Sequence, residues 1–205
     1  MDRSPITRSV AATRRQRVAA VVVVAALNAS VLVACSDDAS GDPKGVNDAD
    51  VTYASSVVAH HAQSVQLLNL SLRHLDAGPE VGAWVDAART RRFRELRAGQ
   101  HMLRSWDEKV PETGLGHADE GKHLVFDTGI PGVLAAEDVR AIERAKGVGF
   151  VRAWLNGLID HELGAVRLAE TEIAGGQNAK TVAVAEKDRA AHAAQVDRLR
   201  RMLES

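Results

Sequence analysis

The sequence repeats itself at an offset of 101 residues, and this repeat limits the possible folds more than any other feature of the chain. The matched positions carry aromatic, apolar or histidine side chains in the same order. They pair Tyr53 with Trp154, Val57 with Leu158, His60 with His161, His61 with Glu162, Val65 with Val166, and Leu67 with Leu168. Farther along, the offset becomes 100, which pairs Asp86 with Glu186, Arg89 with Arg189, Glu95 with Gln195, and Leu96 with Val196. The repeat predicts two similar halves.

Apolar residues recur about every 3.6 positions in four long stretches, which is the spacing of one helix face. Gly and Pro separate these stretches. We predict long helices over residues 48–75, 79–106, 150–174 and 179–203, a long crossover loop over 112–132, and a short amphipathic helix over 135–146. Each half is then one helical hairpin. Two hairpins joined by a long crossover predict an all-α, ferritin-like four-helix bundle over residues 49–205.

The composition supports helices and argues against nucleic acid as a partner. Aromatic residues make up only 3% of the chain, while 45% of residues are hydrophobic and 26% are charged. Alanine and arginine favour helices, whereas a β-sandwich would need more aromatic and β-branched residues. The formal net charge is −1, and arginines alternate with acids instead of forming a basic patch. We expect no binding to nucleic acid.

The first 34 residues have the layout of an export signal. Five arginines precede an apolar run over residues 18–34, and this run ends at Cys35, the only cysteine of the chain. Leu-Val-Ala-Cys at 32–35 resembles the bacterial lipobox, in which the cysteine is lipidated and becomes the new N-terminus. We therefore predict a signal peptide over 1–34, then a lipidated Cys35 with a flexible stalk to residue 48. The alternative is a plain membrane anchor of about 17 apolar residues or an ordinary cleaved signal.

This layout predicts a protein that is attached to the cell membrane by its N-terminal lipid and faces outside the cytoplasm. The membrane is its predicted partner, and no protein partner follows from the sequence. A single cysteine also excludes an intramolecular disulfide and a zinc site built from several cysteines.

Four short motifs give the chain a family resemblance. They are Val-Val-Ala-His-His-Ala-Gln-Ser-Val at 57–65, its repeat Leu-Ile-Asp-His-Glu-Leu-Gly-Ala-Val at 158–166, Ile-Pro-Gly-Val-Leu at 130–134, and Gly-Val-Gly-Phe at 147–150. In order and spacing they resemble domain of unknown function family 305, a ferritin-like family of exported bacterial proteins that is linked in some members to copper. The resemblance covers about residues 50–203 and implies a helical bundle with a metal site.

The chain departs from the family pattern at the positions where the family has methionine. These positions hold Val57, Leu67, Ile130, Val133, Leu158 and Leu168. Thioether sulfur is a ligand that soft Cu(I) prefers, so the sequence has lost the ligands best suited to that ion. What remains is a set of nitrogen and oxygen donors.

Six residues form the predicted metal site. His60 and His161 occupy equivalent positions on apolar helix faces, so we expect both imidazoles to point inward. Their neighbours His61 and Glu162 follow in each copy, and alignment of the returning helices with the family adds Glu95 and His192. Such a set accepts a divalent ion, with copper or zinc foremost. A hydrogen-bonded structural layer without metal is the open alternative.

The remaining features suggest ordinary structural roles. We interpret His117 and His123 as parts of a solvated loop, the tryptophans as core residues, and the run Arg89, Arg91, Arg92, Arg94 and Arg97 as a solvated helix face. No arrangement for nucleophilic or acid–base catalysis stands out, so we do not expect an enzyme. The sequence favours a metal-binding or metal-handling lipoprotein outside the cytoplasm. The alternative is a structural or partner-binding lipoprotein whose metal site has decayed.

Overall fold

The computed structural model describes residues 45–74, 79–115 and 129–204. These ranges contain five α-helices and no strand: α1 (Asp48–His74), α2 (Pro79–Ser105), α3 (Ala136–Arg144), α4 (Gly147–Gly175) and α5 (Ala179–Glu204). None of the helices within these ranges is both long enough and apolar enough to cross a bilayer. The predicted leader, Cys35, residues 36–44 of the predicted stalk, His117 and His123 lie outside the described residues. The stalk was predicted to extend to residue 48, and its last residues correct that bound: Val46 is buried, Asn47 caps α1 and Asp48 is already helical.

The two inner helices, α1 and α4, are antiparallel. Asn47 at the start of α1 donates from Nδ2 to the carbonyl oxygen of Gly175 at the end of α4, over 2.7 Å. Near the opposite ends, the Trp154 indole N–H donates to the carbonyl oxygen of Leu67, over 2.8 Å. Helix α2 packs against α1, and both α5 and the short α3 pack against α4. The predicted all-α bundle of two hairpins is confirmed.

The largest core cluster lies where α1 ends and α4 begins. Trp154 stacks on Phe150, with ring centroids 6.2 Å apart, and meets Trp84 of α2 edge to face at 6.0 Å. All three side chains are buried. Aromatic pairs in these geometries stabilise a core by about 0.5–1.5 kcal/mol beyond the area they bury. Trp84 and Trp154 are therefore core residues, as predicted.

Helix α4 begins three residues earlier than the sequence predicts, at Gly147 and not at Phe150. Lys146 is extended, and Gly147 then turns the chain with a positive φ of 54°. Glycine takes this conformation without the steric penalty that a Cβ would bring. Glycine at this position therefore starts the helix, although a glycine between two apolar stretches predicts a break.

The segment that leads into α3 is tied to both inner helices. Gln63 of α1 donates from Nε2 to the Leu134 carbonyl oxygen over 2.8 Å and accepts from the Leu134 N–H over 2.7 Å. On the other side, Gly132 lies directly against Gly164 of α4, where a Cβ would come within 2.2 Å of the Gly132 Cα. Gly132 itself has a φ of 81°. This loop covers the middle of α4, beside His161.

Candidate metal centre

A layer of buried imidazoles crosses the middle of the bundle. His60 and His61 come from α1, His161 from α4 and His192 from α5, and none is more than 3% exposed. The inward orientation predicted for His60 and His161 is therefore found. His61 lies about 100° farther round α1, yet it is buried as well, because its side of α1 faces the outer helices α2 and α5.

His60 and His161 form a reciprocal pair. Their rings stack with centroids 3.7 Å apart and planes 18° apart. The Nε2 atom of His60 lies 3.0 Å from the carbonyl oxygen of His161, and the Nε2 atom of His161 lies 3.1 Å from the carbonyl oxygen of His60. Each half of the chain thus makes the same contact to the other half. This symmetry agrees with the predicted duplication.

His161 has a second carbonyl neighbour, because its Nδ1 lies 2.8 Å from the carbonyl oxygen of Gly132. Donating to both carbonyls would require an imidazolium. Burial, however, lowers the pKa of His161 to about 4, even though Glu162 and Gly132 act in the opposite direction. The ring is therefore neutral at pH 7. We assign its proton to Nδ1, the atom with the shorter contact, so that Nε2 carries a lone pair.

Three further ring nitrogens in the layer lack hydrogen-bond partners among the described residues. They are Nδ1 of His60 and both nitrogens of His61. The pKa values of both imidazoles lie well below the usual range. Burial is the main cause for both. The neighbouring histidines add to it for His60, and Arg92 adds to it for His61. Each buried polar atom without a partner costs about 1–3 kcal/mol. Neutral imidazoles with free lone pairs are the form in which histidine binds metal ions.

A buried arginine links the two candidate carboxylates. Arg92 donates from Nη2 to both oxygens of Glu162, over 2.6 and 2.9 Å, and from Nη1 to Glu95 over 2.6 Å. Burial raises the pKa of Glu162, but Arg92 and His192 outweigh it and lower the value to about 2. The other Glu162 neighbour is His192, whose Nδ1 lies 2.6 Å from Oε2. Because Glu162 is ionised, His192 is the donor in this contact.

The interpretation of Arg92 as part of a solvated helix face is wrong. Its side chain is buried, whereas Arg94 and Arg97 are exposed as predicted. Arg92 follows buried Ala88 by four residues and precedes buried Leu96 by four, so it lies on the inward stripe of α2. That spacing was visible in the sequence. The run of arginines nevertheless predicted an exposed side chain, because a run of charged residues is usually exposed.

The structure brings the six predicted ligands into one layer, but not as a ready coordination shell. The ring centroids of His60, His61 and His192 lie 5.7–6.3 Å from one another. Glu162 and Glu95 are engaged by Arg92, and the nearest distance from His61 to Glu95 is 3.6 Å. Within the described ranges, no three His, Cys, Asp or Glu side chains are arranged to hold a metal ion. Ring rotation would be needed to bring the lone pairs together.

The positions where the family has methionine are now apolar packing positions. Val57 and Leu168 form a small buried cluster with Tyr53 and Ala169, and Ile130 packs against it. No sulfur is available from these positions. Any metal chemistry in this layer therefore depends on imidazoles and carboxylates.

Comparison with known proteins places this geometry among related folds. The family model DUF305, described as a domain of unknown function, matches residues 50–203. No curated protein matches the chain. Similar solved structures include those of three proteins. A DUF305 protein of Streptomyces coelicolor has a TM-score of 0.63 at 15% identity, covering 76% of this chain and 92% of that one.

The second is a DUF305 fragment of Deinococcus radiodurans, with a TM-score of 0.63 at 16% identity, covering 78% of this chain and 97% of that one. The third is CopM. Its Cu(I)-bound and Cu(II)-bound forms have TM-scores of 0.57 and 0.60 at 15% identity, each covering 76% of this chain and 95% of that one. At these identities, the similarity shows a shared fold.

Proposed function

We propose that this chain, which belongs to the DUF305 family, binds a copper-class ion through the imidazoles of His60, His61 and His192 and handles it without catalysing a reaction. The observation that carries the proposal is the group of buried ring nitrogens without partners in His60 and His61. A native core seldom leaves such atoms unsatisfied, and a bound ion is one of the few groups that satisfies them. The copper-bound forms of CopM, which has the same fold, support the choice of ion.

His192 is suited to the third ligand position. Its Nδ1 donates to Glu162, so Nε2 is the ring nitrogen that remains to face an ion. Metal-binding histidines commonly have a carboxylate in this place, because the carboxylate fixes the tautomer and makes the ring a stronger ligand. Glu162 and Arg92 would then act as positioning residues that do not touch the ion.

The charge of the layer favours an ion with one positive charge. Arg92 contributes one positive charge, the carboxylates of Glu162 and Glu95 contribute two negative charges, and the neutral imidazoles of His60, His61 and His161 contribute none. A monovalent ion therefore neutralises the layer, whereas a divalent ion would leave a net positive charge in a buried site, which is costly. We thus propose Cu(I), and not the divalent ion that the sequence predicted.

A second candidate function is a structural or partner-binding lipoprotein without metal. Arg92 favours it, because the guanidinium already places a cation between Glu95 and Glu162. In this case the imidazole layer would serve only to fix the packing of the four long helices.

Metal titration separates the two candidates. We expect the full-length protein in mild detergent to bind one equivalent of Cu(I) more tightly than Zn(II). We expect His61→Ala to weaken Cu(I) binding at least about tenfold, since it removes a ligand. His101→Ala is the matched control, because His101 lies on α2 but is exposed. Equal and weak uptake by all three proteins would favour the structural function.

We also propose that Cys35 carries the lipid that holds the protein at the membrane, outside the cytoplasm. The basic and apolar leader before this single cysteine supports the proposal. We expect Cys35→Ala to move the protein from the membrane fraction to the soluble fraction or to leave an unprocessed precursor, as measured by fractionation and intact mass. Ser36→Ala should behave as wild type. Unchanged lipidation in Cys35→Ala would contradict this assignment.

A further inference from the structure

A second buried polar cluster lies at the end of the bundle where α1 begins, away from the histidine layer. Asn47 and Asp50 cap this helix reciprocally. The Asp50 N–H donates to Asn47 Oδ1 over 3.0 Å, and the Asn47 N–H donates to Asp50 Oδ2 over 2.8 Å. Such a pair satisfies two of the free N–H groups at a helix start.

Asp50 also binds the turn between α4 and α5. Its carboxylate accepts from the N–H of Gln177 over 3.2 Å and from the N–H of Asn178 over 3.0 and 3.2 Å. Asn178 in turn caps α5 through the N–H of Thr181. One carboxylate, fully buried, therefore connects the first turn of α1 to the start of α5.

The carboxyl group of Glu172 lies at the same turn, against Gly176, and is within hydrogen-bonding reach of the Asp50 carboxylate. Its side chain is 1% exposed, and among the described residues no N–H or O–H group donates to either of its oxygens. Gly176 packs against it so closely that a Cβ there would lie 2.2 Å from Oε1. The contact with Asp50 is favourable only when one of the two acids carries a proton, because two buried carboxylates repel each other.

The pKa values of the two acids are shifted in opposite directions. Burial, the hydrogen bond to Asp50 and the Asp50 charge raise the pKa of Glu172 to about 8. Burial also raises the pKa of Asp50, but hydrogen bonds from Asn47, Glu172 and the turn outweigh it, so the net direction is down. The proton therefore belongs to Glu172.

We propose that Glu172 and Asp50 form a proton-dependent latch. With its proton, Glu172 donates to Asp50 and closes the junction between α1 and the turn that joins α4 to α5. Without it, two carboxylates lie side by side in the core, and the junction loosens. The latch lies outside the histidine layer, so it does not depend on metal binding.

A cavity lies next to the latch. It has a volume of about 580 Å³ and is bordered by Asp48, Tyr53, Leu168 and Glu172, among others. The titratable groups near Glu172 are Asp50 and the Tyr53 hydroxyl, and Asp48 lines the same cavity. Tyr53 donates to Asp188 of α5 over 2.7 Å. No lysine, arginine or histidine is among the described residues that line this cavity. An ionised Glu172 would therefore find no base there to neutralise it.

The stability that Glu172 contributes falls as pH rises. The pKa of Glu172 is about 8 in the folded state, against an ordinary value of 4.5, so its contribution is complete below about pH 4.5 and is lost as pH approaches 8. The lowered pKa values of His60, His61 and His161 act in the opposite direction, but only below their ordinary value of 6.5. Between pH 6.5 and 8, we expect Glu172 to dominate.

Thermal melting of the full-length protein in mild detergent with a chelator tests the latch. We expect the wild-type melting temperature to fall between pH 6.5 and 8.5. In Glu172→Gln, an uncharged amide keeps a donor for Asp50, and we expect this decrease to disappear. Glu170→Gln, an exposed position on the same helix, should follow the wild type. Identical pH profiles for wild type and Glu172→Gln would overturn the proposal.

Hydrogen exchange on the wild-type protein provides a second test that needs no variant. After correction for the intrinsic rate, we expect the amides of Gln177 and Asn178, which bind Asp50, to lose protection at least tenfold between pH 6.5 and 8.5. Amides in the middle of α4, such as that of Leu158, should stay protected. Constant protection at Gln177 and Asn178 would overturn the latch even if Glu172→Gln failed to fold.

Discussion

Replacement of Arg92 by methionine is expected to lower the free energy of unfolding by about 3–5 kcal/mol at pH 7, because it leaves Glu162 buried and ionised without its partner. Arg92 makes two hydrogen bonds to Glu162 and one to Glu95 in a site that is closed to water. Urea unfolding followed by circular dichroism measures the loss. Arg94→Met is the matched control, since Arg94 lies on α2 but is exposed, and we expect a change within about 0.5 kcal/mol.

A double variant shows whether the loss comes from the uncompensated charge. In Arg92→Met with Glu162→Gln, both members of the buried Arg92–Glu162 pair are uncharged, and only the partly exposed Glu95 loses a partner. Replacing both members of a buried pair is often close to neutral. We expect the double variant to recover most of the stability that Arg92→Met loses. A loss below about 1 kcal/mol for Arg92→Met alone would contradict a buried ion pair at this position.

The sequence predicted the helices well because their apolar residues follow a single period. Four long helices and one short helix were expected, and the described ranges contain these five, with one boundary displaced by three residues. The displaced boundary is at Gly147, and sequence reasoning cannot distinguish a glycine that ends a helix from one that starts it. The repeat also located His60 and His161, because equivalent positions in two copies of a hairpin meet near the symmetry axis.

The sequence could not predict which groups form hydrogen bonds in the histidine layer. Arg92 was assigned to the surface because it belongs to a run of arginines, although Ala88 and Leu96 place it on the inward stripe.

The pairing of Asp50 with Glu172 joins residues more than 100 positions apart and leaves no pattern along the chain. Single acids carry no sign of burial, so only the packed helices reveal which of them share a proton.

The loop before α3 provides the second large expected effect, through Gly164. A Cβ on Gly164 would lie 2.2 Å from the Gly132 Cα and 2.3 Å from the Pro131 carbonyl oxygen. These are backbone atoms and cannot rotate away, so Gly164→Ala must displace the loop. We expect a loss of about 3 kcal/mol, the upper part of the range for overpacked sites, because the displacement also separates His161 Nδ1 from the Gly132 carbonyl oxygen.

Gly82→Ala is the matched control, since a Cβ there meets nothing within 4 Å, and alanine in a helix should stabilise by about 0.5–1 kcal/mol. Nitrogen NMR of the His161 ring gives a readout specific to the site. In the wild type we expect the proton on Nδ1, and in Gly164→Ala we expect it to move to Nε2, where the His60 carbonyl oxygen remains as the acceptor. Wild-type stability together with an unchanged tautomer in Gly164→Ala would show that the loop does not hold His161.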